Sequence, residues 1–359
     1  MTTEFNIENY LNSLSENVTV IVLNNKNLTY LPNITRFKYL KQLELFDNQL
    51  ISLPELPESL EELFCSKNTL TSLPELPKNL KNLSCFYNQL TSLPELPESL
   101  IRIACYDNQL TFLPKLPDSL KLLYCGINQL TFLTELPENL KSLHCNNNQL
   151  TFLPELPESL IRIDCYDNQL TSLPKLPDSL KLLYCGNNQL TFLTELPENL
   201  KSLHCNNNQL TFLPKLPDSL IYLGCDNNQL TSLPNLPNSL PYLNCVNNQL
   251  TSLPKLPESL RCLYCNNNQL IYIPEYPNNL MFNFKNNIIY DIVYNSNPKI
   301  KIKNIKTINK FRKLHYFIKI KYWLYKYVLQ SKIEKKYHPE KLIQLLTTND
   351  NLENAIENW

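Results

Sequence analysis

Leu60-Glu61-Glu62-Leu63-Phe64-Cys65-Ser66-Lys67-Asn68-Thr69-Leu70-Thr71-Ser72-Leu73-Pro74-Glu75-Leu76-Pro77-Lys78-Asn79 decides the fold, because it is one turn of a pattern that returns every 20 residues. From Leu40 to Pro277 the form L-x-x-L-x-C-x-x-N-x-L-T-x-L-P-x-L-P-x-x recurs without insertion, giving twelve units. A diverged first unit of 22 residues, carried by Val18, Ile21, Leu23, Leu28, Leu31 and Pro32, makes thirteen. A fixed short period of this kind means stacked repeats, each too small to bury its own apolar face.

The spacing assigns each position a place. Leu63 and Cys65 are two apart, so on a strand they share one side while Glu62, Phe64 and Ser66 share the other. One short parallel strand per unit, stacked at ~4.8 Å, predicts a sheet roughly 60 Å long. The Leu-Pro-x-Leu-Pro run cannot be helical, since proline lacks the N–H and pushes the preceding residue out of the α region. The opposite wall is therefore expected to be extended, polyproline-like backbone. Asn68 and its eleven equivalents, from Asn48 to Asn268, stand where the strand must turn and its buried backbone groups lose sheet partners. A carboxamide both donates and accepts there, which neither Asp nor Leu can do.

These residues resemble the leucine-rich-repeat family, and within it the short 20-residue LPX type of bacterial effectors, through strings such as NQLTSLPELPESL at 88–100. The likeness covers about residues 18–280. It implies a curved solenoid whose concave parallel sheet binds protein. Cysteine stands in this chain where those effectors tend to carry valine. LPX effectors often append a ubiquitin-ligase domain with a catalytic cysteine; no cysteine follows Cys265 here, so that enzyme is not expected. Asn/Ile/Lys-rich segments and YHPEKLIQLL at 337–346 also resemble repeat proteins of amoeba-infecting giant viruses. That likeness implies a virus–host interaction and a host protein as partner, in the host cytoplasm.

The expected organisation is an N-terminal helical cap over 1–17, with an amphipathic helix in 5–15, then the solenoid over 18–280. A degenerate repeat or linker follows over 281–304, and a basic helical tail over 305–359. The chain is formally neutral, but residues 1–298 hold 19 Lys+Arg against 28 Asp+Glu, whereas 299–359 hold 14 against 5. Within 299–336, thirteen basic residues and one acid interleave with Phe311, Tyr316, Phe317, Tyr322, Trp323, Tyr325 and Tyr327. Three readings stay open for this tail: an end cap for the solenoid, an anchor on anionic membrane, or a nucleic-acid contact.

Catalysis and cofactors are not expected. Only three glycines occur, at 126, 186 and 224, so no glycine-rich loop can cradle a phosphate. Neither a small-molecule substrate nor a metal is expected. Eleven cysteines, at 65 to 265 in steps of twenty, occupy the inward position and read as small buried apolar residues of a reduced, cytoplasmic protein. Cys262 and Cys265 form a C-x-x-C, but alternation sends the two side chains to opposite faces. His144 and His204 each precede a ladder cysteine, and adjacent strand residues likewise point apart.

Partner binding is assigned to the side chains thrown outward: Phe64, Phe86, Arg102, Tyr106, Tyr124, His144, Arg162, Tyr166, Tyr184, His204, Tyr222, Tyr242 and Tyr264. Tyrosine and arginine dominate interface hot spots because they bury area while keeping polar reach. The competing reading is that the aromatic residues stack across strands and stabilise the sheet. Residues 101–160 and 161–220 are one cassette copied, differing at Ala104/Asp164, Phe112/Ser172, Ile127/Asn187, Glu155/Lys215 and Glu158/Asp218. A catalytic constellation tolerates such copying poorly, whereas a modular binding surface only lengthens. Two rivals to a protein-binding scaffold remain: an adaptor anchored by its basic tail, and a structural repeat with no fixed partner.

Overall fold

A computed structural model describes residues 5–293 and residue 310. The chain divides into two compact units, Met1–Tyr290 and Asp291–Trp359, and the second lies almost wholly outside the described residues. The tail expectations for 299–336 and 305–359 fall there.

A seven-residue helix, α1 (Ile7–Ser13), opens the first unit. Asn6 caps it by accepting the Asn9 N–H, and Ile7 and Leu11 are its buried residues. Arg36 fastens its end, donating to the Leu11 carbonyl at 2.6 Å and to Asn12 Oδ1 at 3.2 Å. Three-residue strands follow: β1 (Val20–Val22), β2 (Gln42–Glu44), β3 (Glu62–Phe64), β4 (Asn82–Ser84), β5 (Arg102–Ala104), β6 (Leu122–Tyr124), β7 (Ser142–His144), β8 (Arg162–Asp164), β9 (Leu182–Tyr184), β10 (Ser202–His204), β11 (Tyr222–Gly224), β12 (Tyr242–Asn244), β13 (Cys262–Tyr264) and β14 (Met281–Asn283). They form one parallel sheet in strict chain order. A short helix, α2 (Ile288–Val293), comes after β14.

The sheet has one strand more than the thirteen counted repeats. In the last turn the register moves by nineteen residues, so Met281 pairs with Cys262 and Phe282 with Leu263. Phe284 then fills the place held by cysteine in the middle of the stack, while Leu23 and Leu45 fill it in the first two turns; all three are buried. The thiols therefore run as an uninterrupted column with bulkier side chains at each end. All eleven ladder cysteines are free and buried, while Cys262 is half-exposed. Burial pushes the thiols of Cys65 and Cys105 up to about 12 and raises the other ladder cysteines too, so they are packing groups rather than nucleophiles.

The asparagine column staples neighbouring turns. Asn168 accepts the Leu150 N–H at 3.0 Å and donates to the carbonyls of Cys145 at 3.0 Å and Cys165 at 3.1 Å. The same set recurs from Asn68 to Asn268, and Asn287 continues it with the Leu270 N–H and the Cys265 carbonyl. Because each carboxamide holds two turns, its loss leaves several buried backbone groups unpaired, at about 1–3 kcal/mol.

Just before each asparagine the backbone turns left-handed, with φ between 50° and 58° from Asp47 to Asn286. None of these positions is glycine; most are Asn or Asp, which tolerate that region, but Lys67, Tyr87 and Ile127 also occupy it. This conformation was not foreseen from the sequence, since the three glycines sit elsewhere.

Candidate functional site

Parallel strands in exact rung order place equivalent residues side by side, so the sheet's solvent face is a set of columns. The sequence-assigned residues lie on it, yet all except Arg102 are half-buried. They cover one another. Tyr184 and His204 stack with ring centroids 4.4 Å apart, His204 and Tyr222 at 4.1 Å, and Tyr222 and Tyr242 at 4.5 Å. Tyr264 ends the row, tilted against Tyr242 at 5.8 Å. Five rings thus run unbroken across β9 to β13, each half-buried against its neighbours.

A second group lies earlier. Phe86 and Tyr106 stack at 4.5 Å, with the Tyr87 ring edge-on to both. Tyr124 packs on His144 at 4.5 Å. Arg102 lies 5.2 Å above the Tyr124 ring and Arg162 lies 4.9 Å above Tyr184, so the cassette reproduces the same cation–aromatic shelf twice. Tyr166 accepts a hydrogen bond from Asn146 Nδ2 at 3.1 Å. Phe64 stands on β3 opposite Ser84, half-buried.

The outward column is not uniformly open. Ala104 and Asp164 are 2% and 7% exposed, covered by the larger side chains around them. Burial, as the main cause, raises the Tyr106, Tyr166 and Tyr222 hydroxyls above their ordinary value. Asp226 is also raised by burial, although it accepts from Asn227 and Asn244, each at 2.8 Å.

No family model matches the chain, and no curated protein does. Solved structures do. YopM, a leucine-rich effector protein from Yersinia pestis, superposes with a TM-score of 0.65 and 37% identity over 75% of this chain and 83% of its own. The chain is a leucine-rich-repeat protein. YopM from Yersinia enterocolitica matches at 33% identity and a TM-score of 0.51, over 75% of this chain and 74% of that one. The functional domain of InlJ from Listeria monocytogenes, which includes a cysteine ladder, matches at 25% identity and 0.55, over 70% and 64%.

One grouping on the repeat face went unrecognised in the sequence. Ser142 Oγ lies 3.0 Å from His144 Nε2, and His144 Nδ1 lies 3.4 Å from Asp164 Oδ2. The sequence Ser–His–Asp is that of a nucleophile, base and orienting acid, but only the serine–histidine contact is a hydrogen bond. The leucine-rich-repeat sheet does not equip it for acyl transfer. Ser142 is 9% exposed, and the N–H groups of Ser142 and Cys145 are engaged by the carbonyls of Lys121 and Asp164, so they cannot hold an oxyanion. Asp164 also meets Arg162 Nη2 on its own strand at 3.4 Å, while Asp164 Oδ1 and Arg162 Nε are buried without a hydrogen-bond partner. The signal in the sequence was the i, i+2 spacing of Ser142 and His144; only the sheet register supplies Asp164.

A second omission lies off the strand face. Phe112, Phe132, Phe152, Phe192 and Phe212 hold one repeat position and are 43–54% exposed. Their period of twenty was legible, but that position follows the asparagine turn rather than the strand. Among the described residues, no group of three or more His, Cys, Asp and Glu side chains could hold a metal ion. No helix among them is long and apolar enough to cross a membrane.

Proposed function

We propose that this leucine-rich-repeat protein is a protein-binding scaffold that receives its partner on the aromatic face of the sheet. The observation that carries the reading is the unbroken row from Tyr184 through His204, Tyr222 and Tyr242 to Tyr264. Rings locked by their neighbours lose little further freedom when a partner covers them. The copied shelf of Arg102 on Tyr124 and Arg162 on Tyr184 adds two of the residue types that anchor interfaces. The chain's likeness to YopM, a leucine-rich effector protein, supports an interaction role over a catalytic one.

Stacking of the rings on one another, the competing reading, is compatible with this function: a row can both stiffen the sheet and serve as its contact surface. The test is a Tyr124→Ala, Tyr184→Ala, Tyr264→Ala triple variant, compared with wild type by cross-linking mass spectrometry in lysate. Loss of the wild-type cross-links with an unchanged circular dichroism spectrum is expected; an unaltered cross-link profile would reject the reading.

A further inference from the structure

The strand face is one set of columns, and the stretch that follows each asparagine turn makes another. Leu113 and Leu116 are buried while Phe112 and Lys115 are exposed, so the two outward positions are three residues apart on extended backbone and share a side. The first of these positions carries the five exposed phenylalanines, and among the described residues none of their rings meets another ring. The second is charged in every turn from Glu55 to Lys255 except at Asn235, and every member is exposed. Among the described residues only Lys215 of this column makes an ion pair, with Glu198 at 3.8 Å, and both side chains there are largely in solvent.

The order of charges along the column is complementary to its own reverse. Turned about Glu155, it sets Glu135 opposite Lys175, Lys115 opposite Glu195, Glu95 opposite Lys215 and Glu55 opposite Lys255, while Glu75 falls on Asn235. Only Glu155 meets its own kind. Turning about Glu135 instead sets Glu75 against Glu195, and turning about Lys175 sets Glu155 against Glu195. The same reversal about Glu155 brings Phe112 to Phe192 and Phe152 to Phe152. Lys215 is one of the five places where the cassette copies differ; a glutamate there, as at Glu155, would oppose Glu95. We propose that this side is an isologous interface between two copies of the chain, packed antiparallel about a two-fold axis at the turn of Phe152 and Glu155. A two-fold contact needs a surface that matches its own reverse, which a merely solvated face has no reason to do. Each exposed ring offers roughly 100 Å², so five supply about 500 Å² per copy. The aliphatic stems of the charged column carry this toward the ~800 Å² per partner of a specific interface. The aromatic sheet face takes no part in the contact, so the inference goes beyond the scaffold reading and stands without it.

The test is the mass of the full chain by sedimentation equilibrium over a concentration series. Wild type should reach twice the mass of one chain. Glu135→Lys should raise the dissociation constant roughly tenfold, because each exposed pair occurs twice and turns repulsive, and Lys175→Glu should do the same. Combining these two should restore wild-type association. Combining Glu135→Lys with Lys115→Glu keeps the net charge but not the register, and should not restore it. Phe152→Asp should leave the chain monomeric. The substituted side chains are all exposed, and unchanged circular dichroism spectra check that each variant folds. A wild-type chain that stays monomeric overturns the proposal and leaves this side to another protein or to water. A dimer that the single swaps leave intact, or that the paired swap fails to restore, overturns it as well.

Discussion

Tyr222 lies across the bare backbone of Gly224, two residues along the same strand. A Cβ placed on Gly224 would come within 3.2 Å of Tyr222 Cε1. That gap lets the ring reach His204 on the preceding strand at 4.1 Å and Tyr242 on the next at 4.5 Å. The glycine is needed for space, since its φ is not left-handed.

Gly224→Val should therefore push Tyr222 out of the row and divide the five-ring stack. Two ring contacts at about 0.5–1.5 kcal/mol each set the upper scale of the cost, and partial relaxation of a surface ring should bring it nearer 1 kcal/mol. Near-ultraviolet circular dichroism should weaken while the far-ultraviolet spectrum holds. An unchanged near-ultraviolet signal would show that the ring does not depend on the glycine.

His204 should make stability sensitive to mild acid. Burial between Tyr184 and Tyr222 lowers its pKa below the ordinary 6.5, with Asp164 opposing the shift weakly. Below that value the unfolded chain binds a proton that the folded chain resists, so this contribution is present above about 6.5 and is lost as the pH falls. His204→Phe should flatten the difference between urea midpoints measured at pH 7 and pH 5.5. An equal pH dependence in both proteins would remove His204 from the account.

Ile127 sits at φ 52°, in the left-handed turn that Asn187 occupies at φ 50° in the copied cassette. A β-branched residue there costs about 1–2 kcal/mol, and Ile127 is 44% exposed, so little apolar burial offsets the strain. Ile127→Asn should raise unfolding free energy by about 1 kcal/mol, and Asn187→Ile should lower it by a similar amount. Asn187 also donates to Asp167, whose equivalent in the first copy is Asp107. Equal urea midpoints for wild type and both variants would contradict this.

Twelve cysteines should behave as one and eleven. The ladder thiols are buried and held protonated, whereas Cys262 is half-exposed on the opposite side of the sheet. Ellman's reagent at pH 8 should titrate a single thiol in the native protein and all twelve after denaturation. Cys262→Ala should abolish the native reaction. Rapid modification of several thiols in the folded chain would show that the column is open to solvent.

Much of the molecule was legible residue by residue. The Leu63/Cys65 spacing gave strand and inward face, Asn68 gave the buried turn, and Phe5–Ser15 gave the covering helix at the start of the sheet. The last turn was harder, because Phe282 and Phe284 replace leucine and cysteine after a register step of nineteen. The left-handed turns escaped notice since side chains as different as Lys67, Tyr87 and Ile127 occupy them. The aromatic columns were read correctly as outward-facing, but not their mutual burial: the period says which residues share a face, not how far each ring leans toward its neighbour.

A strict period of twenty, with leucine, cysteine and asparagine at fixed places, was sufficient to dictate stacked parallel rungs, because no other arrangement buries every ladder at once. Tertiary structure alone decided the chemistry of the face. Tyr222 meets His204 only where Gly224 leaves room, and Asp164 meets both Arg162 and His144 only because parallel pairing in register sets β7 beside β8. Those contacts join side chains from different turns, and their distances depend on the angle at which each side chain leaves its strand, which a repeat pattern does not encode.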